Sequence, residues 1–313
     1  MEVTSANVGS LQLDALVESV SQIYSAKDAK RSIWDVWMHT HHHAAGVAEE
    51  VRKENDCELS RQIADCAMWL LTFVKKVDGT IGVSKLGEQS DQESLIRVAN
   101  GFSEIMWGRF PGVCPFCYLR AASRDELAPT IRHRCDCPLH EIRHRSRVER
   151  NADAIALRKF AKQNATLMPS GVDDWQDLVG QIYREKIEGL EVAAIVLHFL
   201  EEMGEVSDAI ARMYSYTEPD FIAGSPRMRQ VCLESELADA TSWMFGLVEK
   251  LNSLDRIPAP LTKPLRLSQI IWSRYGSKEL NSFACWKCKK PICDCPILIV
   301  PVDRGIDEVR RIE

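Results

Sequence analysis

The chain contains two copies of one sequence pattern, and this duplication constrains its fold more than any other feature. The segment that begins at Gln22 returns at Gln181 with the same Gln-Ile-Tyr triplet. Farther along, Asp65 matches Asp239, and a Trp-x-Arg-aromatic segment follows in each copy. Both copies then end in a Cys-x-x-Cys pair followed by Cys-Asp-Cys-Pro. The repeat therefore predicts two similar structural units built from the same elements in the same order.

The repeat also predicts where the chain divides. A length of 313 residues is enough for two domains. We expect a first copy over residues 1–140, a connection over residues 141–170 and a second copy over residues 171–313. The connection is rich in Arg and Ala, which predicts a helix. Its Arg cluster could contact phosphate, but a solvated, charged face is the favoured interpretation.

Apolar residues recur at every third or fourth position in most segments, as on one face of an α-helix. In the second copy one such stripe runs from Val192 to Met213, and another runs from Leu233 to Leu251. Proline and glycine between the two stripes predict a loop. Alternating strand patterns are scarce. We therefore predict an all-α protein in which each copy is a helical bundle, with short turns around its cysteines.

The overall composition excludes some classes of function. A net charge of −6 argues against a general nucleic-acid-binding protein, because such proteins carry a basic excess. No apolar run approaches the roughly 18 residues of a membrane-spanning helix. The N-terminus has no basic start followed by an apolar stretch, so it does not resemble a signal peptide. We expect a cytosolic protein without a membrane partner.

Four cysteines near the end of each copy have the spacing of metal ligands. They are Cys114, Cys117, Cys135 and Cys137 in the first copy, and Cys285, Cys288, Cys293 and Cys295 in the second. Four thiolates suit tetrahedral Zn²⁺, and a reducing compartment disfavours disulfides. Free or redox-active thiols are the alternative, but the recurrence of the whole set favours zinc. We expect two structural Zn²⁺ ions, each of which holds the C-terminal tail of its own copy.

Acidic residues at helical spacing distinguish the second copy. Glu202 and Glu205 are three residues apart, as are Glu236 and Asp239 on the next predicted helix, and Glu201 flanks the first pair. Antiparallel packing of the two helices would bring these carboxylates together. Burying them is unfavourable unless a cation compensates, and oxygen ligands suit Mg²⁺ or Mn²⁺. A solvated acidic face is the alternative, but the apolar residues beside the acids favour a metal site.

These acids carry a family resemblance. The segment EEMGE, which starts at Glu201, and the segment ELAD, which starts at Glu236, resemble the EExxE and ExxD motifs of MazG-like all-α nucleoside triphosphate pyrophosphohydrolases. The resemblance covers the second copy up to its cysteines and, in a degraded form, the first copy. It implies cleavage of a (d)NTP to a (d)NMP and pyrophosphate with Mg²⁺. It also implies that Glu202, Glu205, Glu236 and Asp239 hold Mg²⁺, whereas Glu201 is a further ligand or orients water.

The first copy keeps only Asp65 of this acidic set. Other residues stand where the second copy has glutamates, namely His42, His43, Gly46 and Gln62. We therefore expect no Mg²⁺ site of the same kind in the first copy. The histidine run that begins at His41 could bind a transition metal, but adjacent residues of a helix point about 100° apart. A vestigial site is the favoured interpretation.

MazG-like enzymes generally build their core from two protomers. The resemblance therefore implies that the two copies imitate such a dimer, and that the first copy supplies walls around the site of the second. Three points stay open. They are whether the whole chain forms a homo-oligomer, whether Arg274 or Lys250 contacts the substrate phosphates, and whether His198 has a structural or a substrate-binding role.

The expected function is Mg²⁺-dependent hydrolysis of nucleoside triphosphates by the second copy. Family analogy leaves open both a housekeeping role and nucleotide depletion during phage defence. A non-catalytic nucleotide sensor or a zinc-stabilised scaffold is the alternative from another class. In that alternative the acids would bind a metal–nucleotide complex without turnover.

Overall fold

A computed structural model describes residues 3–80, 101–123, 134–137, 147–214 and 226–295. Within these ranges the chain forms eleven α-helices and one small antiparallel β-ladder, which confirms the predicted all-α class. None of the described helices combines the length and the apolar character that crossing a membrane requires.

The helices follow the order of the repeat. The first copy contains α1 (Leu13–Asp28), α2 (Ile33–Lys53), α3 (Asp56–Thr80), α4 (Phe102–Arg109) and α5 (Pro115–Ser123). The predicted connecting helix is α6 (Arg147–Gln163). The second copy contains α7 (Val172–Ile182), α8 (Arg184–Gly189), α9 (Val192–Tyr214), α10 (Pro226–Ser253) and α11 (Leu267–Tyr275). The strands β1 (Gly276–Ser277) and β2 (Ser282–Phe283) lie just before the second cysteine set.

Local sequence explains where α2 begins and ends. Ser32 accepts a hydrogen bond from the backbone N–H of Asp35, and the Asp35 carboxylate accepts one from the backbone N–H of Ser32. This reciprocal capping satisfies N–H groups that have no partner within the helix. At the other end Glu54 adopts a left-handed conformation with φ 55°, which reverses the chain. Because α2 ends at Lys53 and α3 begins at Asp56, only Glu54 and Asn55 connect the two helices.

The most extensive packing lies within two helical hairpins, α2 with α3 and α9 with α10. Arg229 near the start of α10 donates to the backbone carbonyl of Arg212 near the end of α9, so these two helices are antiparallel, which is the condition under which their acids were expected to meet. The hairpins meet where α2 packs on α9. There the fully buried Trp37 donates its indole N–H to the Ser207 hydroxyl at 2.8 Å. The loop predicted between α9 and α10 lies largely outside the described residues.

One helix of each copy, the one that carries its Trp-x-Arg segment, packs on the other copy. Helix α4 contacts α10, and α11 contacts α3. The cysteine sets also contact the opposite copy. The backbone N–H of Cys135 donates to the Ile182 carbonyl at 2.8 Å, and the backbone N–H of Cys293 donates to the Ile23 carbonyl at 2.7 Å. Each cysteine set joins two segments of its own copy and, through one backbone hydrogen bond, also contacts the opposite copy.

We call this packing of α4 and α11 on the opposite copy the exchange. Its physical reason lies in how the apolar residues are distributed around α4. Its buried residues point in several directions around the helix axis, so one neighbour cannot cover them: Phe102, Ile105, Met106 and Trp107. Helices α1, α6 and α10 all contact α4 and together cover these residues. As a result, buried apolar residues of both copies join in one hydrophobic core.

Candidate functional site

Three of the five predicted acids converge between α9 and α10. One carboxylate oxygen from each of Glu202, Glu205 and Glu236 lies within 4.8 Å of the other two. Glu202 and Glu236 are partly buried, whereas Glu205 is exposed, so the cluster opens to solvent on the side of Glu205. We call these three residues the acidic cluster.

Asp239 lies beside the acidic cluster but is engaged by an arginine of the other copy. Its Oδ1 accepts a hydrogen bond from Arg109 Nε at 2.8 Å, and its Oδ2 accepts one from Arg109 Nη2 at 2.7 Å. Arg109 is the last residue of α4, so the exchanged helix of the first copy brings it here. Both side chains are largely buried, at 20% and 12% relative exposure for Arg109 and Asp239. Such a two-point pairing is strongly directional.

Glu201, the fifth predicted acid, lies outside the acidic cluster. Its exposed carboxylate is 3.2 Å from His198 Nδ1. The His198 ring in turn stacks on Trp243, with 4.6 Å between the ring centroids. This arrangement places an acid and an imidazole together on α9, within one turn of Glu202.

The acidic cluster is electrostatically unfavourable without a cation. Burial, reinforced by the negative charges of Asp239 and Glu205, raises the pKa of Glu202 to about 9. Burial and the charge of Asp239 raise the pKa of Glu236 to about 8, and nearby Arg109 opposes both shifts. Because one pKa unit corresponds to about 1.4 kcal/mol, keeping both groups ionised costs on the order of several kcal/mol. A divalent cation bound by these oxygens would remove much of that cost.

These raised pKa values predict that a divalent cation held by the acidic cluster would bind more tightly as the pH rises. Below about pH 8 the folded protein holds protons on Glu202 and Glu236 that a divalent cation would have to displace. The stability of the metal-free protein should therefore fall between the ordinary pKa of about 4.5 and a pH of about 9, where both groups ionise. Added Mg²⁺ should raise the melting temperature more at about pH 9 than at about pH 6. Thermal unfolding at a series of pH values checks this, and an equal shift at every pH would contradict it.

The two cysteine sets also converge as the sequence predicts. In each set the four Sγ atoms lie within 4.8 Å of one another, so both sets could hold zinc. All four cysteines of the first set are buried, and two of the second are. Hydrogen bonding, first with Cys114, raises the pKa of Cys137. The four thiols of the first set therefore cannot all ionise together unless a cation compensates.

Residues of α1 support the second cysteine set from the other copy. Lys27 Nζ lies 3.0 Å from Cys293 Sγ, and the Tyr24 hydroxyl lies 3.7 Å from Cys285 Sγ. Burial acts to raise the pKa of Cys293, but hydrogen bonds from Lys27 and from neighbouring cysteines outweigh it, so the net shift is downward. A lowered pKa favours the thiolate, which is the form that binds a metal.

Zinc content tests both cysteine sets directly. We expect two zinc ions per chain, and we expect the Cys285→Ser, Cys288→Ser double variant to retain one. Loss of that ion should lower the melting temperature by roughly 10 °C, because a structural zinc contributes to folding free energy. Elemental analysis and thermal unfolding measure the two effects, with Cys57→Ser as the control since Cys57 is exposed and outside both sets. A double variant that keeps two zinc ions would contradict the assignment.

Arg274 and Lys250, the two candidate phosphate contacts from the sequence, lie outside the acidic cluster. Arg274 pairs with Asp65 of the first copy, through Nε at 3.0 Å and Nη2 at 3.2 Å. Lys250 is buried and donates to the backbone carbonyl of Glu188 at 2.9 Å. Arg109, by contrast, is a site residue that sequence reasoning missed. The sequence did carry a signal for this residue. The Trp-x-Arg segment recurs in both copies, and so does the aspartate that ends the Ile/Leu-Ala-Asp segment.

The surroundings of Arg158 on α6 differ from the solvated face that the sequence predicts for this helix. The predicted charged face of this helix is not wholly solvated, because Arg158 forms an ion pair with the buried Glu234 of α10. Glu234 also accepts a hydrogen bond from Gln230 at 3.0 Å. The pair attaches the connecting helix to the helix that carries Glu236 and Asp239.

Searches of protein-family models, of curated protein sequences and of solved structures return no match to this chain. The function therefore has to be inferred from the arrangement of the side chains and from the pattern of acids that the second copy carries.

Proposed function

We propose that the second copy binds Mg²⁺ in its acidic cluster and hydrolyses nucleoside triphosphates to a nucleoside monophosphate and pyrophosphate. The convergence of Glu202, Glu205 and Glu236 between two antiparallel helices is the observation that carries this proposal. The reaction itself comes from the resemblance of the EEMGE and ELAD segments to MazG-like enzymes.

The acidic cluster fits the chemistry of such a metal. Its ligand atoms are all carboxylate oxygens, which Mg²⁺ and Mn²⁺ prefer, and two of the three groups have raised pKa values that a cation would relieve. Bound Mg²⁺ would neutralise charge on the phosphates and lower the pKa of a water molecule. Glu202, Glu205 and Glu236 would hold it.

Other side chains near the cluster would position the reactants. Phosphoryl transfer depends mainly on charge neutralisation and on in-line placement of the attacking group. Glu201, held by His198 at the solvent side of α9, would orient a water molecule and accept its proton. Arg109, held by Asp239 beside the acidic cluster, would place a positive charge near the triphosphate. The first copy thus contributes a group to the active site of the second.

A non-catalytic nucleotide sensor is the second candidate, and one observation favours it. Both carboxylate oxygens of Asp239 are occupied by Arg109, which leaves three rather than four acids of the motif for the metal. With fewer ligands, a metal–nucleotide complex could be held without the geometry that turnover needs.

Release of pyrophosphate separates the two candidates. The protein would be incubated with each NTP and dNTP in the presence of Mg²⁺, and monophosphate and pyrophosphate would be quantified. Hydrolase activity predicts both products in equal amounts, and dependence on Mg²⁺ or Mn²⁺. Tight nucleotide binding without either product would reject the hydrolase and support the sensor.

A further inference from the structure

The first copy contains a cavity at the position that corresponds to the acidic cluster of the second. Its volume is about 450 Å³, which is within the range of small-molecule sites. Helices α1, α2 and α3 form its walls, together with the end of α11 and the first turn of the second cysteine set. Both copies therefore build this cavity, just as both build the surroundings of the acidic cluster.

The cavity has the opposite electrostatic character from the acidic cluster. His42 and His43 line it at the positions of Glu201 and Glu202, and three basic side chains, Lys27, Arg31 and Arg274, line it as well. Among its described lining residues Asp65 is the one acid, and Arg274 neutralises it through the two hydrogen bonds given above.

The pKa of His39 agrees with these basic surroundings. Burial lowers it, and the positive charges of Arg31, His43 and His42 lower it further. Lys27 and Arg274 are engaged by Cys293 and Asp65, and Arg31 pairs with Asp28 through Nη1 at 2.5 Å. The Arg31 guanidinium carries further N–H groups, and these, together with the rings of His42 and His43, are the groups of the lining that would donate to an anion.

A metal is a poorer occupant of this cavity than an anion. The groups of three or more metal-ligating side chains that converge in the described parts of the chain are the acidic cluster and the two cysteine sets. The histidines of the cavity form no such group. One ring nitrogen of His43 is also occupied, because its Nδ1 lies 2.9 Å from Gln62 Oε1.

Flat aromatic surfaces accompany the basic groups. Trp286 is 42% exposed, and the Arg274 guanidinium lies 4.1 Å from its ring centroid. Across the cavity lining, Trp69 stacks on His39 with 4.4 Å between centroids. An exposed indole beside basic side chains offers a stacking surface for a base and donors for its phosphates.

We propose that this cavity binds a nucleoside phosphate directly, without a divalent cation, with the phosphates at His42, His43 and Arg31 and the base against Trp286. The site would be separate from the acidic cluster, so the proposal does not depend on hydrolysis by the second copy. The first copy would then have a binding function of its own, although its loss of acidic residues predicts a vestigial site.

Nucleotide binding without added divalent cation tests this proposal. The full-length, zinc-containing protein would be titrated with ATP, with inorganic tripolyphosphate and with adenosine by calorimetry and tryptophan fluorescence. We expect one ATP per chain, weaker binding of tripolyphosphate, and adenosine weaker still. No ATP binding in the absence of Mg²⁺ would overturn the proposal. Equal affinity for ATP and tripolyphosphate would overturn the assignment of a nucleotide in favour of a polyphosphate site.

Substitutions locate the binding. The His42→Glu, His43→Glu double variant installs the acids of the second copy and should weaken ATP binding by at least about tenfold through repulsion of the phosphates. Trp286→Ala should weaken ATP by about tenfold but leave tripolyphosphate unchanged, because only the base stacks. Arg52→Gln on the exposed end of α2 also removes a positive charge and should change affinity by less than about twofold.

A second control lies outside both sites. Glu188→Gln replaces an exposed glutamate that neither lines the cavity nor belongs to the acidic cluster, so it should leave metal-free ATP binding unchanged. Binding that persists in the histidine double variant would overturn the placement in the cavity. Far-ultraviolet circular dichroism on every variant verifies that the helices remain folded, so that a loss of affinity reports on the site.

Discussion

Replacing Glu202 with glutamine should reduce Mg²⁺-dependent pyrophosphate release by roughly a hundredfold or more while making the metal-free protein more stable at alkaline pH. The two effects have one cause. Glu202 is an ionisable member of the acidic cluster, and its pKa of about 9 reflects burial and the charges of Asp239, Glu205 and Glu236. The amide keeps the shape of the side chain but removes the charge, so repulsion decreases and metal affinity falls.

The sign of the stability effect follows from proton linkage. A carboxyl group with a raised pKa in the folded state favours folding at low pH and opposes it once the pH is high enough to ionise the unfolded chain. Glutamine at position 202 should therefore increase the melting temperature of the metal-free protein most at about pH 9, and little at about pH 4. It should also remove most of the stabilisation that Mg²⁺ gives.

Thermal unfolding with and without Mg²⁺, together with a pyrophosphate assay, measures both effects on the same preparation. Glu188→Gln is the matched control, because Glu188 is an exposed glutamate of the second copy outside the acidic cluster. The control should match the original protein in Mg²⁺-induced stabilisation. Retained turnover in the Glu202→Gln variant would refute the site, whereas a loss of stability at high pH would refute the electrostatic account.

Separating the two copies should have an equally large effect, because neither is expected to fold alone as a monomer. A fragment of residues 147–313 lacks α4, which packs on α10, and leaves α11 without its partner α3. It also loses Arg109, so the buried Asp239 would have no ion-pair partner. Removing one member of a buried pair costs about 3–5 kcal/mol, which is comparable with the total stability of many domains.

Size-exclusion chromatography and circular dichroism of the fragment check this prediction. We expect an unfolded chain, or a dimer in which two fragments exchange their terminal helices. Co-expression of residues 1–146 with residues 147–313 should give a folded complex of both pieces, and this serves as the control for solubility. A fragment that is folded, monomeric and fully active on nucleotides would show that the copies are independent domains.

The pseudo-symmetry of the contacts supports this dependence. The Arg109–Asp239 pair in one site corresponds to the Arg274–Asp65 pair in the other. The backbone hydrogen bonds of the two cysteine sets to the opposite copy correspond in the same way. Each site is therefore completed by the terminal segment of the other copy, and only the side chains that fill the two sites differ.

Several elements were predictable because local sequence encodes them. The apolar periodicity predicted α9 and the buried face of α10, and the spacing of Glu202 and Glu205 predicted that their carboxylates share a helix face. The cysteine spacing likewise predicted two convergent thiol sets. In each case the groups concerned lie close together in the chain or recur in both copies, so helix geometry or the repeat itself placed them.

Other features depended on contacts between residues far apart in the chain. The repeat is compatible with two arrangements, in which α4 and α11 pack either on their own copy or on the opposite one. Both are possible because corresponding surfaces of the two copies are alike. The exchange, the capture of Asp239 by Arg109 and the basic cavity around His42 and His43 all follow from the second arrangement.

The amino-acid sequence alone thus determined the helical class, the convergent cysteines and the helix faces that bear the acids. Only the tertiary structure decided which copy completes each site. The physical reason is that helix periodicity acts over a few residues, whereas α4 has apolar side chains on several sides and is covered only when helices from both copies surround it.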